Sequence, residues 1–185
     1  LFITGQEAMH CNIDGNGSKV FSFDVGTLTD TCVLAGLTIS GGGGSTGEVE
    51  VRPSTTLQII NVQFNGNTST ARGLYCSQAE VVLSACSFIN YNVSQDGAAF
   101  YSSNSNATLI NCTFGGNQTS SHGGAIYNHT GNMSLQWCTI VENSCPGTGG
   151  GIQNWNGTVV MQNTVIADNN AGSSYDNIGI GGTAP

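Results

Sequence analysis

Apolar and polar residues alternate over short stretches of this chain, and the alternating stretches return at a nearly constant interval. One apolar column has spacings of 25 or 26 residues and comprises Phe23, Val49, Leu74, Phe100, Ile126, Ile152 and Ile178. A second column has spacings of 24 to 26 and comprises Ile13, Ile39, Phe64, Phe88, Phe114, Ile140 and Val165. A third lies five residues before the second, at Ile59, Leu83, Leu109, Leu135 and Val160. Alternation with a period of two indicates β-strands, and the constant interval predicts a repeat architecture.

The repeat interval predicts the fold class. A period near 25 residues with two or three short strands and no helical spacing is typical of a β-solenoid, whose coils stack at about 4.8 Å. We therefore expect an all-β fold, a single-stranded right-handed parallel β-helix (solenoid) of about seven coils of 24–26 residues. We expect residues 1–185 to form one such domain, as a segment of a longer or end-to-end stacked solenoid.

Glycine and asparagine mark the expected corners of each coil. Gly97, Gly123–Gly124 and Gly149–Gly150 stand just before the first column, where a tight turn needs the positive φ that glycine adopts easily. Asn67, Asn117 and Asn143 follow strands, and asparagine both tolerates left-handed backbone and bonds to its neighbours. The sequence therefore predicts corners at these glycines and ladders of stacked asparagines.

The charge of the chain excludes some partners. Charged residues make up only 8% of the 185 residues, and 3 Lys and Arg against 11 Asp and Glu leave a net charge of -8. Nucleic acids and anionic membrane surfaces both select basic patches, so we expect neither as a partner. No apolar run approaches the roughly 20 residues of a membrane span, so we expect no direct membrane insertion.

The repeat motifs resemble those of a known family. The phrases are GGAI at 123–126, GGGI at 149–152, F-x-x-N at 64–67 and 114–117, and NCTF at 111–114. They resemble the repeats of the polymorphic outer-membrane protein family and, more widely, the right-handed parallel β-helix repeat proteins of cell surfaces. The resemblance covers nearly the whole chain and is strongest over 57–168. It implies a β-helical surface or adhesion domain and, because these motifs are structural, no catalytic site.

Seven cysteines in so polar a chain suggest an oxidising compartment. Four of them share one column, two residues before the second apolar column: Cys11, Cys86, Cys112 and Cys138. We interpret this column as a buried ladder of thiols, because side chains stacked in parallel do not aim their sulfurs at each other. The best disulfide candidate joins Cys11 to Cys32, while Cys76 and Cys145 could be free or pair elsewhere. No C-x-x-C or nearby histidine suggests a metal site, and we expect none.

Nine N-x-S/T sequons exceed what the composition alone would give. We expect glycans at eight of them: Asn16, Asn67, Asn92, Asn106, Asn117, Asn128, Asn132 and Asn156. Asn67, Asn117, Asn128 and Asn156 should be the most accessible, whereas Asn111 lies within a predicted strand and should be buried or laddered. The alternative is that asparagine turns followed by threonine create sequons without any glycan.

Candidate catalytic residues are scattered. Polysaccharide cleavage needs paired carboxylates, or a cation cluster with a base. Glu142 and Asp168 are 26 residues apart, so stacking would bring them to adjacent coils. Each follows a strand, however, and a solvated corner is the favoured interpretation. The alternating Glu48, Glu50 and Arg52 are interpreted as a solvent-facing row, and Ser121–His122 as an ordinary sequence pair.

Three tyrosines are the candidate ligand-facing residues. Tyr75, Tyr101 and Tyr127 each follow the first column by one residue, so they should point outward on successive coils. Such a ladder could stack sugar rings or a partner chain, or it could be a structural row on a strand face.

These observations favour a non-catalytic, extracellular, glycosylated β-helix that acts as a structural or adhesive component of a cell-surface coat or extracellular fibre. We expect no enzyme activity and no cofactor. The expected partners are copies of the chain stacked end to end or a neighbouring surface protein, with glycans as a further ligand class. The alternative is a polysaccharide-processing enzyme of lyase or hydrolase type, or a carbohydrate-binding β-helix.

Overall fold

Stacked parallel strands form almost all of the described chain. The computed structural model describes residues 2–4, 12–24 and 31–181, with the backbone alone for 2–4. Every strand pairing is parallel, and the strands wind into a β-solenoid of about six turns. One sheet has seven strands, one for each level of the solenoid. The predicted all-β parallel solenoid is confirmed.

Three sheets share the strands, with one short 3₁₀ helix at Gly66–Thr68. The largest sheet contains β1 Phe2–Thr4, β3 Phe21–Phe23, β4 Cys32–Ala35, β6 Gly47–Val51, β7 Thr56–Ile60, β9 Arg72–Ser77, β10 Glu80–Ser84, β13 Phe100–Ile110, β16 Ile126–Gln136, β19 Ile152–Trp155, β20 Thr158–Gln162 and β23 Ile178–Gly181. The second contains β2 Asn12–Asp14, β5 Thr38–Ser40, β8 Gln63–Asn65, β11 Ser87–Ile89, β14 Thr113–Gly115, β17 Thr139–Val141 and β21 Val165–Ala167. The third contains β12 Asn92–Val93, β15 Gln118–Thr119, β18 Ser144–Cys145 and β22 Asn170–Ala171.

The register confirms the apolar columns except at three positions. Val49 lies opposite Phe21 rather than Phe23, because this coil is two residues longer than the usual 26. At the other end, Ile140 lies opposite Ile166 and Leu135 opposite Met161, not Val165 or Val160. In each of these strands two apolar residues are adjacent, Val160–Met161 and Val165–Ile166, so the sequence did not show which of the two faces inward. Val160 and Val165 point outward and are 59% and 56% exposed.

Positive φ angles turn the chain at the corners. Gly97, Gly123 and Gly149 have φ of 63°, 66° and 70°, which confirms the predicted glycine corners. A Cβ on Gly123 would lie 2.4 Å from the carbonyl oxygen of Ile126, so the site also lacks room for a side chain. A second corner stacks left-handed residues between the first two sheets: Asn61, Ala85, Asn111, Trp137 and Asn163. Stacking repeats the same bend on each level.

Aromatic and aliphatic columns fill the interior. Phe64, Phe88 and Phe114 are fully buried, and their rings stack nearly parallel with centroids 4.2 and 4.8 Å apart. The inward leucines and isoleucines of the largest sheet pack against them. Burying a side chain of this size contributes about 1.5–3 kcal/mol, so the columns supply most of the driving force for folding.

An asparagine ladder runs through the interior beside the third sheet. The Nδ2 of Asn117 donates to Oδ1 of Asn143, and Nδ2 of Asn143 donates to Oδ1 of Asn169, each at 2.9 Å. The same oxygens accept the backbone N–H groups of Asn117 and Asn143, and each amide also donates to a carbonyl oxygen such as Phe114 O. The ladder pairs backbone groups that the corners leave open, and it confirms the predicted stacking of Asn117 and Asn143. The same prediction is wrong for Asn67, which is exposed in the 3₁₀ helix and takes no part in the ladder.

Replacing Asn143 with Leu should destabilise the protein by about 3 kcal/mol or more. The substitution leaves the Asn117 backbone N–H without an acceptor, removes one of the two acceptors of the Asn117 amide, and removes a donor to the Phe114 carbonyl oxygen. A buried unpaired polar group costs about 1–3 kcal/mol. Denaturant unfolding followed by circular dichroism measures the change. Asn132→Leu is the matched control, because Asn132 bonds to Asn106 in an exposed stacked pair. Equal losses in the two variants would contradict a structural role for the ladder.

Candidate functional site

The three candidate tyrosines form a stacked ladder on the outer face of the largest sheet. Tyr75 pairs with Tyr101 and Tyr101 with Tyr127 in register. Both pairs of ring centroids are 5.4 Å apart, with interplanar angles of 6° and 9°. The outward orientation predicted for Tyr75 and Tyr101 is confirmed by their partial exposure. Tyr127 is only 8% exposed, because the corners at Gly97 and Gly123 pass close to its Cβ.

The stacking decides which part of the ladder a ligand can reach. A sugar that stacks on an aromatic residue needs a free ring face, whereas both faces of Tyr101 are covered by the neighbouring rings. Glu50 lies next to Tyr75 and Gln153 next to Tyr127 in the register, so side chains also stand at both ends of the ladder. The ladder therefore offers ring edges and hydroxyl groups to solvent, and it is not a platform for stacked sugar rings.

Arg72, at the start of β9, lies against this ladder. Its Cζ is 4.7 Å from the ring centroid of Tyr101 and 5.6 Å from that of Tyr75. The residue is 6% exposed, and its Nε is buried without a hydrogen-bond partner. The ion pairs of the described residues involve Lys19 and Arg52 but not Arg72. Burial lowers the pKa of the guanidinium, and nearby Tyr101 and Asp96 partly oppose that effect.

The contacts of Arg72 within the described chain do not offset the free energy that is lost when its charge leaves water. A cation over an aromatic face gains about 0.5–2 kcal/mol, whereas removing an ion from water costs several kcal/mol. The nearest compensating carboxylate is Asp96, but its Oδ1 already accepts Ser121 Oγ–H at 2.6 Å and the His122 backbone N–H at 3.1 Å. Arg72 is thus a buried cation with no direct anionic partner in the part of the chain that the structure describes.

The geometry around His122 does not form a nucleophile–base pair. The hydroxyl of Ser121 donates to Asp96, not to the imidazole. His122 Nδ1 accepts the backbone N–H of Thr148 at 3.1 Å and lies 3.1 Å from the Thr148 hydroxyl. These contacts tie successive corners together, which agrees with the interpretation of Ser121–His122 as an ordinary sequence pair.

Glu48 is the unexpected buried acid, and its predicted solvent-facing position is wrong. Glu48 is 0% exposed and Glu50 4%, and Gly42, Ser69 and Tyr91 enclose the Glu48 carboxyl. The Glu48 carboxyl accepts the Gly42 N–H at 2.8 Å and the hydroxyls of Ser69 and Tyr91. Glu50 pairs with Lys19 and, at 3.3 Å, with Arg52.

Burial governs the titration of the Glu48 cluster. Desolvation raises the pKa of Glu48 above its usual value, although the three donors lower it in part. Burial together with the adjacent Glu48 also raises the pKa of Tyr91 well above its usual value. Tyr91 is fully buried, and its backbone N–H donates to Oδ1 of Asn117, so the cluster extends the asparagine ladder.

The other candidate carboxylates lie on solvated corners. Glu142 and Asp168 are both exposed and both adopt positive φ, 59° and 54°. Neither takes part in an ion pair, and the described residues contain no group of three His, Cys, Asp or Glu that could hold a metal ion. Their placement confirms the corner interpretation.

The sequons divide into exposed and buried groups. Exposed asparagines occupy seven of the nine: Asn16, Asn67, Asn92, Asn106, Asn111, Asn132 and Asn156. Asn117 and Asn128 have no exposed surface, and the Asn128 amide donates to Asn154 Oδ1 at 2.8 Å. This contradicts their prediction as accessible acceptors. The prediction for Asn111 is also wrong, because the residue stands on an exposed left-handed corner.

The described cysteines line the interior as thiols. Cys86, Cys112 and Cys138 are buried in one column, which confirms the predicted thiol ladder. Each sulfur lies 3.3 to 3.7 Å from backbone carbonyl oxygens. No disulfide joins any of the described cysteines, among them Cys32, Cys76 and Cys145. The predicted Cys11–Cys32 pair depends on Cys11, which lies outside the described residues.

The free energy of unfolding should fall as the pH rises above about 4.5 through the folded-state pKa of Glu48. The folded state holds the Glu48 proton more tightly than the unfolded state does, so the contribution is complete at lower pH and is lost as the carboxyl ionises. Denaturant unfolding of the wild type and Glu48→Gln between pH 4 and 7 isolates this contribution as the difference between the two profiles. Glu80→Gln, at an exposed position, should leave the profile unchanged. Parallel wild-type and Glu48→Gln profiles would contradict this assignment.

Comparisons with known proteins found no relative of this chain. No family model, no curated protein and no solved structure matches the chain. The resemblance to the polymorphic outer-membrane protein repeats therefore stays a prediction. Within the described ranges, no helix has the length and apolar character needed to cross a membrane.

Proposed function

We propose that this protein is a non-catalytic, extracellular, glycosylated β-helix that serves as a structural or adhesive component of a cell-surface coat or an extracellular fibre. The observation that carries the proposal is the exposed position of seven sequon asparagines on the outer faces and corners of the solenoid. Glycans there would surround the rod and supply the hydration that a surface with 8% charged residues lacks.

The stacked architecture supports end-to-end copies or a neighbouring surface protein as partners. On the level that contains β20 to β23, Met161 and Ile180 continue inward-facing columns, and they are 39% and 75% exposed. Apolar surface of this kind is suited to contact with another protein layer. Parallel strands with open backbone groups could extend the same ladders into that layer.

Enzymatic removal of N-glycans should lower the mass of the native protein to that of its bare polypeptide, to which these 185 residues contribute 19.0 kDa. Glycopeptide mapping should find sugar only among the seven exposed asparagines and none on Asn117 or Asn128, because the folded interior has no room for a glycan on these hydrogen-bonded amides. A bare polypeptide mass would contradict the proposal, as would glycan on either buried asparagine.

Asn106 and Asn132 should not both carry glycan on the same molecule. They lie opposite each other on adjacent strands, and Asn132 Nδ2 donates to Asn106 Oδ1 at 3.2 Å. Strands about 4.8 Å apart leave little room for two bulky oligosaccharides side by side. In an Asn111→Gln variant, Asn106 and Asn132 are the two exposed sequons of the 102–133 fragment, and intact-mass analysis of this fragment should show one glycan at most. Asn106→Gln should raise occupancy at Asn132. Asn16→Gln is the control and should leave Asn132 unchanged, and a doubly glycosylated fragment would refute the steric argument.

A further inference from the structure

The environment of Arg72 differs from that of the other two cations of the chain. Lys19 and Arg52 both pair with Glu50, and their side chains are 32% and 46% exposed. Arg72 is 6% exposed, forms no ion pair among the described residues, and has a buried Nε without a partner. The rings of Tyr75 and Tyr101 compensate only part of the lost hydration, so the guanidinium retains unused donors for an anion.

The planar arrangement of the N–H donors of Arg72 favours a carboxylate as the ligand. A guanidinium presents a planar fork that matches the two oxygens of a carboxylate, and such pairs are stronger than neutral hydrogen bonds. The guanidinium lies beside the rings of Tyr75 and Tyr101, both of which are partly exposed to solvent. The one carboxylate close by, Asp96, is held by Ser121 and the His122 backbone and does not reach Arg72.

The net charge limits how many negative charges the ligand can carry. With 11 acidic residues and a net charge of -8, the chain repels polyanions, and a single cation could not hold one. A ligand with one carboxylate on an uncharged body avoids this repulsion. The hydroxyl groups of Tyr75 and Tyr101, whose rings lie beside the guanidinium, suit the hydroxyl groups of a saccharide.

We propose that the corner at Arg72 binds the carboxylate of an otherwise uncharged saccharide. The guanidinium holds the carboxylate, and the hydroxyl edges of Tyr75 and Tyr101 contact the sugar body. Sugar rings do not stack on the tyrosines, because the ring faces are covered. This site goes beyond the proposed coat or fibre function and is independent of whether the chain itself is glycosylated.

Isothermal titration calorimetry of the full chain, produced without glycans, tests the proposal with three matched ligands. Methyl β-glucuronide should bind with a dissociation constant of about 1 mM or lower. Methyl β-glucoside, which has a hydroxymethyl group in place of the carboxylate, should bind at least about tenfold more weakly. Acetate, which carries the charge without the sugar, should also bind at least about tenfold more weakly.

Two arginine variants locate the site. Arg72→Met should abolish glucuronide binding, whereas Arg52→Met, which removes an exposed arginine already paired with Glu50, should not change it. Where Arg72→Met does not fold, Arg72→Lys keeps the charge but loses the planar fork, and we expect about tenfold weaker binding. Circular dichroism confirms the fold of each variant.

Four outcomes overturn the proposal: no glucuronide binding, equal binding of glucuronide and glucoside, equal binding of acetate, or binding that the Arg72 variants do not weaken. Equal binding of acetate would show an adventitious anion site only. None of these outcomes bears on the glycan map of the chain, so this proposal and the proposed function fail separately.

Discussion

In-register stacking of parallel strands is the constraint on which the whole molecule depends. Each residue meets the residues about 26 positions before and after it, at the separation of about 4.8 Å between hydrogen-bonded strands. Side chains in one column must therefore tolerate contact with their own kind. Phenylalanines, tyrosines, asparagines and cysteines each satisfy this condition in a separate column. The hydrophobic columns drive folding, and the polar columns decide the register.

The polar interior is one continuous system rather than a set of separate contacts. Asn169, Asn143 and Asn117 bond in sequence, Asn117 accepts the N–H of Tyr91, and the Tyr91 hydroxyl reaches Glu48. The ladder ends at Tyr91 because the preceding coil contains the 3₁₀ turn at Gly66–Thr68 and offers no stacked asparagine. A buried carboxyl with three donors replaces the missing level, which makes stability at this end of the solenoid dependent on pH.

Scarcity of charge shapes the outer surface as strongly as stacking shapes the interior. With three cations in 185 residues, the state of each one matters. Two are used in ion pairs with Glu50, and Arg72, beside the tyrosine ladder, has no ion pair within residues 12–24 and 31–181. Elsewhere the exposed faces carry hydroxyls and amides, and exposed asparagines occupy most sequons. Such a surface is suited to glycans, whether they are attached to the chain or bound by it.

The sequence by itself determined the strand interval, the parallel solenoid, the glycine corners and the cysteine column, because stacking imposes a local period that survives in the residue pattern. The sequence also indicates the burial of Asn128, against its prediction as an accessible sequon, because this residue stands two positions after the inward-facing Ile126 in an alternating strand. Only the tertiary structure decided the burial of Glu48, the covered faces of the tyrosine rings and the lack of an ion pair for Arg72 among the residues that the structure describes. These depend on which loops cover a strand and on lateral contacts between levels, and neither follows from the period of the repeat.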